Sequence, residues 1–152
     1  MSQLRRRETR APHLPGVRLL QRFPRHFHQS AGESQEGMKK AKIAIDAMGG
    51  DHAPQVIVEG AVQAAGESRL EIILVGDEKA VGRELDRQGR TPKNITVHHA
   101  GSFIRMDEPP VLSVRRKKDS SVCVATDLVK SGAADALVTA GHTGAAVAAT
   151  TL

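Results

Sequence analysis

The stretch KIAIDAMGGDHAP, residues 42–54, sets the pattern of the whole chain. Its first part, Lys42–Asp46, is a short apolar run that predicts a buried β-strand. Its second part is polar, contains the adjacent glycines Gly49 and Gly50, and ends at Pro54, a residue suited to the first turn of a helix. A strand followed at once by a glycine-rich loop and a helix is typical of a βα unit.

The same alternation continues to the end of the chain. Apolar runs predict further strands at 70–75, 94–98 and 136–139, and helical spacing predicts helices at 54–67, 78–88, 111–117, 120–130 and 145–152. Strands separated by helices predict an α/β domain of three layers, α/β/α, around a mostly parallel sheet. Because the sequence stops inside an apolar helix without a cap, we expect this fold to be incomplete in the chain.

Composition limits the classes of partner. The chain has no tryptophan or tyrosine and only three phenylalanines, so stacking of bases on aromatic side chains is nearly excluded. The formal charge of +5 is uneven, because residues 1–37 carry seven arginines and three glutamates. Residues 38–152 are close to neutral, which argues against a nucleic-acid partner for the predicted domain.

Residues 1–37 predict a disordered basic leader, separate from the domain at 38–152. Three interpretations are open: an organellar transit peptide, a basic arm for membrane or nucleic acid, and a leader that precedes the natural start at Met38. We favour the third, because strand-like sequence begins within a few residues of Met38.

A single cysteine, Cys123, excludes an internal disulfide and favours a reducing compartment, so we expect a cytoplasmic protein. Cys123 lies on the apolar face of its predicted helix, where we expect it to fill the core. No apolar run approaches the roughly 20 residues that span a bilayer. His98 and His99 lack partners at metal-ligand spacing, so no zinc site is predicted.

Ligands of open parallel sheets bind outside the carboxyl ends of the strands, and three polar clusters fall at or after such ends. In the first, residues 46–54, Gly49 and Gly50 allow close approach of the backbone to a ligand or simply form a tight turn. Asp51 is a candidate N-cap for the next helix or a functional acid. His52 is a candidate general acid or base, or a solvated loop histidine.

The second cluster, residues 115–121, joins four cations to a predicted helix start. Asp119 or Ser120 can cap that helix, and free amides beside Lys118 would bind an anion; the alternative is a solvated basic turn. A nucleophilic role for Ser120 or Ser121 would require a neighbouring base that the sequence does not reveal.

The third cluster, residues 140–144, follows a strand, and its residues 141–144, which include His142, open a helix. They would present amides and the Thr143 hydroxyl to an oxyanion or a phosphate.

Four stretches together resemble the PlsX-type phosphate acyltransferases, also called acyl-acyl-carrier-protein:phosphate acyltransferases. They are KIAIDAMGGDHAP (42–54), EIILVGDE (71–78), RRKKDSSVCVA (115–125) and ADALVTAGHTGA (134–145). The resemblance implies transfer of a fatty acyl group from acyl carrier protein to inorganic phosphate, giving acyl phosphate for bacterial phospholipid synthesis. It implies a fold like that of isocitrate and isopropylmalate dehydrogenases, a homodimer, association with the membrane surface through regions outside this chain, and no metal or cofactor.

The resemblance also implies roles for the clustered residues. Phosphate would be anchored by Lys118, Ser120 and Ser121, with close backbone approach at Gly49 and Gly50. Thr143 and the amides near Gly144 would stabilise charge, and Asp51 and His52 would orient the reacting groups or supply protons. Where the family usually has asparagine, this chain has His142, which brings a titratable group to the site.

Two other classes of protein compete with this interpretation. A non-catalytic fragment of the same family, acting in binding or dimerisation, is consistent with the end of the sequence at Leu152. A nucleotide-dependent dehydrogenase domain is disfavoured, because the glycine-rich stretch at 49–50 is not a GxGxxG fingerprint.

Overall fold

The computed structural model describes residues 40–89 and 91–152. The predicted leader at 1–37 and the proposed start at Met38 lie outside the described residues.

The described residues form four strands and five helices in the alternating order that the sequence predicts. The strands are β1 (Lys42–Asp46), β2 (Glu71–Gly76), β3 (Ile95–His99) and β4 (Ala136–Val138). The helices are α1 (Gln55–Glu67), α2 (Glu78–Arg87), α3 (Pro110–Arg116), α4 (Ser121–Lys130) and α5 (Thr143–Thr151).

One parallel sheet contains all four strands, in the order β3-β2-β1-β4. The strand that comes first in the chain is therefore central. Its residue Ala44 lies opposite Ile73 of β2 on one side and Leu137 of β4 on the other. The predicted parallel α/β sheet is confirmed, and every strand pair in it is parallel.

Alternate side chains of β2 point to opposite faces of the sheet, as the period of a strand requires. Ile72 and Leu74 pack in one apolar cluster with α1 and α2. Ile73 and Val75 belong to a second cluster on the other face, which includes Ala125 of α4. Helices thus cover the two faces of the sheet, giving the layered arrangement that the alternating sequence predicts.

A third apolar cluster joins α3, α4 and α5 away from the sheet. It contains Val114, Cys123 and Ala148, each less than one-tenth exposed. The prediction that Cys123 fills the core is confirmed.

Four helix starts differ from the sequence prediction by one or two residues, and two of them, those of α1 and α5, concern the predicted caps. Helix α1 begins at Gln55, and Pro54 is its N-cap residue, whose carbonyl accepts the hydrogen bond from Val58 N. No side chain caps α1, so the proposed capping role of Asp51 is wrong. Helix α5 begins at Thr143, two residues before its predicted start, because the His142 side chain caps it.

Asn94 fastens the end of α1 to the start of β2, since its Nδ2 donates to Ala65 O at 3.1 Å and to Leu70 O at 2.7 Å. We predict that Asn94→Asp lowers the free energy of unfolding by about 2 kcal/mol, because a carboxylate would face two carbonyl oxygens. The measurement is urea denaturation near neutral pH.

The matched control is Gln63→Glu, which makes the same change from amide to acid on the exposed face of α1, where Gln63 donates to Glu67. It should cost only about 0.5 kcal/mol. Equal costs for the two variants would contradict the anchoring role of Asn94.

Candidate functional site

The polar clusters lie at the carboxyl edge of the sheet. Because all four strands are parallel, the loops that follow them emerge at the same edge. Residues 46–54 follow β1, and residues 139–144 follow β4, its neighbour in the sheet. The turn 117–120 is held against the loop that follows β3, through a bridge between Ser102 and Ser120.

A buried carboxylate links the ends of β1 and β4. Asp46 is only 4% exposed, and its Oδ2 accepts a hydrogen bond from Thr139 Oγ1 at 2.9 Å. Its Oδ1 accepts from Met48 N at 3.1 Å. Thr139 Oγ1 in turn accepts from Gly141 N at 3.1 Å. Both carboxylate oxygens therefore have partners, and they fix the backbone of both loops.

Above this carboxylate the two loops are in backbone contact. A Cβ atom added to Gly49 would lie 2.7 Å from Asp46 Oδ2 and 2.8 Å from Gly141 N, closer than real Cβ atoms approach. Gly50 has a φ of 107°, in the region that favours glycine, and lies against Ala140 O. The first and third predicted clusters are thus brought together, and the glycines at 49 and 50 are required by this packing.

Asp51 and His52 lie on the exposed side of this loop. Neither side chain makes a hydrogen bond or ion pair with another described residue. Both are therefore accessible to a ligand at the edge of the sheet, and their proposed proton-transfer roles remain predictions.

The His142 side chain caps α5. Its Nδ1 accepts a hydrogen bond from Gly144 N at 3.1 Å, so that nitrogen carries no proton in this arrangement. Asparagine, the residue expected here from the family resemblance, is also a favoured N-cap. The amide of Gly144 is engaged by the ring, so it reaches a bound oxyanion only when His142 moves. Thr143 is exposed beside it.

The second cluster is attached to the loop that follows β3. Ser121 N donates to Ser102 O at 2.9 Å, and Ser102 Oγ donates to Asp119 Oδ1 at 2.9 Å. Gly101 packs so closely on Asp119 that an added Cβ would lie 2.6 Å from its carboxylate. Within the described residues, no hydrogen bond or ion pair joins the second cluster to the other two.

Ser120 and Ser121 are buried at the amino end of α4, whereas Lys118 is exposed. Ser120 occupies the N-cap position, but no side chain caps this helix, so neither Asp119 nor Ser120 has the predicted capping bond. The Ser120 hydroxyl is enclosed and has no hydrogen-bond partner. An unpartnered buried hydroxyl at an uncapped helix start is costly unless a ligand satisfies it.

Glu108 connects the loop after β3 to α3 and to the turn before α4. It accepts hydrogen bonds from Lys117 Nζ at 2.7 Å, Arg105 N at 3.0 Å and Ser113 Oγ at 3.1 Å. The hydrogen bond from Lys117, reinforced by the Arg105 amide, lowers the pKa of Glu108 from its ordinary value of 4.5 to about 2. Lys117 also donates to Phe103 O, so it is committed to holding this loop.

Sequence reasoning included Asp46 in the first cluster but gave it no role, and it missed Thr139 and Glu108. The signal for Asp46 was an acid ending an otherwise apolar strand. Its partner Thr139 lies 93 residues later, which no local pattern reveals.

A family model described as "Fatty acid synthesis protein" matches residues 41–152, the segment that contains all of these loops. The chain belongs to this family. The match confirms the resemblance that the four sequence stretches indicated.

Several curated relatives are named phosphate acyltransferase. That of Desulfitobacterium hafniense (strain DSM 10664 / DCB-2) is 51% identical over 111 residues, covering 73% of this chain and 33% of the relative. That of Pelotomaculum thermopropionicum is 56% identical over 108 residues, covering 71% and 31%. That of Moorella thermoacetica is 52% identical over 111 residues, covering 73% and 32%. The chain spans about a third of the length of these relatives.

We predict that Gly49→Ala lowers the free energy of unfolding by about 1–3 kcal/mol, because the new methyl group would collide with the Asp46 carboxylate and with the backbone of Gly141. The matched control is Gly60→Ala in α1, where an added Cβ meets nothing within 4 Å. It should raise stability by roughly 0.5–1 kcal/mol, since alanine is favoured within a helix. Denaturation curves in which Gly49→Ala is as stable as the wild type would contradict the close packing.

The contribution of Glu108 to the free energy of unfolding should be lost in acid. Its pKa is lower in the folded state, so its stabilising contribution is complete above about pH 4.5 and is lost as the pH falls toward 2. We predict that Glu108→Gln is less stable than the wild type at pH 7 and that this difference narrows progressively between pH 4.5 and 2.5.

The measurement is urea denaturation across this pH range. A difference that is the same at pH 7 and at pH 2.5 would contradict the assignment. In a Lys117→Met background the effect of Glu108→Gln should shrink, because the principal hydrogen-bond donor is gone.

Proposed function

We propose that the protein to which these residues belong is a phosphate acyltransferase that moves a fatty acyl group from acyl carrier protein to inorganic phosphate. The product is an acyl phosphate for phospholipid synthesis. One observation carries the proposal: about half of the aligned residues are identical to those of relatives named phosphate acyltransferase. The aligned segment contains the contact between Gly49 and Gly141 and the turn 117–120.

The amino end of α4 is the proposed phosphate anchor. Its uncapped start, the unpartnered hydroxyl of Ser120 and the exposed Lys118 offer donors and positive charge, and Ser121 adds a second hydroxyl. Because Ser120 Oγ is enclosed, phosphate reaches it when the turn 117–119 opens. Lys117, held by Glu108 and Phe103 O, keeps that turn closed in the free protein.

The remaining candidates would act on the acyl group. A phosphate oxygen attacks the thioester carbonyl carbon, the tetrahedral oxyanion collapses, and the C–S bond breaks to release a thiolate. Thr143 and the amide of Gly144 would stabilise the oxyanion at the start of α5. Asp51 and His52, both exposed, would orient the phosphate or return a proton to the leaving thiolate.

We also propose the finer properties that the resemblance implies. The parallel sheet with helices on two faces supports a fold like that of the isocitrate and isopropylmalate dehydrogenases. A homodimer in the cytoplasm, associated with the membrane surface through regions outside this chain, is expected. Within the described residues, no helix is long and apolar enough to cross a membrane.

Ser120→Ala tests the phosphate anchor in the full-length protein. Without phosphate, we predict that the variant is more stable by about 1 kcal/mol, because an unpartnered buried hydroxyl is removed. With inorganic phosphate, the wild type should gain thermal stability and the variant should gain much less. With acylated acyl carrier protein as the donor, the kcat/KM for phosphate in the variant should be at least roughly tenfold lower than in the wild type.

The matched control is Ser131→Ala at the other end of α4, where the exposed hydroxyl donates to Leu128 O. It should leave both phosphate responses unchanged. A Ser120→Ala variant that keeps the full response to phosphate would overturn the assignment of the anchor.

A further inference from the structure

A second region of the carboxyl edge contains a cavity. A cavity of about 560 Å³ lies where β1, β2 and β3 end. Its walls come from Met48 after β1, from Ala80 and Arg83 of α2, and from Ser102 and Phe103 after β3. The volume falls within the range of roughly 300–1,000 Å³ that is usual for small-molecule sites.

This cavity adjoins the proposed phosphate anchor and shares the turn 117–120 with it, through Lys117. Met48 of the loop after β1 also lines it, whereas Ser120, Ser121 and the loop after β4 do not. Two of its residues precede residues of the proposed site in the chain: Met48 precedes Gly49, and Lys117 precedes Lys118. A ligand in the cavity would therefore have one end close to the place where phosphate is expected.

The charges on the cavity wall favour an anion. Arg83, Arg105 and Lys117 line it, against the single acid Asp77, whose carboxylate accepts Ala80 N at 2.7 Å as the cap of α2. Arg105 is paired with Asp107, and Lys117 with Glu108. Arg83 makes no hydrogen bond or ion pair with the described residues. Its planar guanidinium is suited to bind a phosphate through two hydrogen bonds.

The rest of the wall is apolar. Met48, Ala80, Ala100 and Phe103 line it, and Phe103 is 42% exposed. The other two phenylalanines of the chain lie within residues 1–37. A large apolar side chain exposed beside unpaired positive charge fits a ligand that has an anionic group joined to an uncharged chain.

We infer that this cavity binds a phosphate ester carrying an uncharged chain, namely the phosphopantetheine arm that presents the acyl thioester. Arg83 holds the phosphate of the arm, and the wall from Met48 to Phe103 receives its chain. The inference rests on the proposed function, because that function requires a thioester donor. The same chemistry occurs in an arm attached to a carrier protein and in free coenzyme A.

The first experiment measures binding of 4′-phosphopantetheine to the full-length protein by calorimetry. Arg83→Ala should weaken binding at least about tenfold, since a charge-assisted pair is lost. Ala80→Leu should weaken it similarly by filling the cavity. Arg87→Ala, one turn later on α2 and paired with Glu84 at the surface, is the matched control and should bind normally. Pantetheine without phosphate should bind the wild type and Arg83→Ala equally.

The second experiment measures the formation of acyl phosphate with two acyl donors, acylated acyl carrier protein and acyl-coenzyme A. Arg83→Ala should raise the KM for the donor at least about tenfold and leave the KM for phosphate unchanged. If the donor KM rises only with the acylated carrier protein, the cavity binds the arm attached to the carrier. If it rises with both donors, the cavity binds the arm in either form.

The outcomes separate this inference from the proposed function. An active enzyme whose donor KM and phosphopantetheine affinity are the same in Arg83→Ala and wild type would overturn the cavity assignment alone. A wild-type protein that forms no acyl phosphate would overturn the proposed function. Arg83-dependent binding of the arm would still support the cavity in that case.

Discussion

The backbone contact between Gly49 and Gly141 is the constraint on which the carboxyl edge of the sheet depends. It brings the loops after β1 and β4 closer than any side chain at position 49 would permit. Asp46 lies directly beneath and accepts hydrogen bonds from both loops. The glycine-rich stretch at the end of a core strand therefore has two purposes: it allows two backbones to meet, and it leaves the polar residues after it at the surface.

Much of the fold could be predicted from the chain itself. The bounds of β1 were predicted correctly. Every other strand and helix begins and ends within two residues of its predicted bounds. Local periodicity carries that information, because strands and helices expose one face to a core. The strand order could not be predicted in this way. Strand β1 pairs with β4, whose residues come more than ninety positions later, and no local pattern encodes that pairing.

The site was predicted less completely than the fold. Glycines, hydroxyls and cations in loops after strands pointed to the carboxyl edge, and the structure brings the clusters after β1 and β4 into contact. Glu108 is an ordinary loop acid in sequence, although its partners Arg105, Ser113 and Lys117 are at most nine residues away. Its pKa is lowered because the chain folds back so that Lys117 and the Arg105 amide donate to the same carboxylate, a geometry that no sequence pattern specifies. The start of α5 was misplaced because histidine is a weak signal for a helix cap.

The central position of β1 has a consequence for how the chain is made. On the ribosome, β1 emerges first and can pair with β2 soon afterwards, but its other edge has to wait for β4. Lys42 meets Asp135, its partner at that edge, only after 93 more residues have been added. At a synthesis rate of about 5–20 residues per second, the apolar edge of Ile43 to Ile45 is open for roughly 5–20 s. An unpaired strand edge is a template for unwanted pairing, so this interval is when the nascent chain most needs protection by a chaperone.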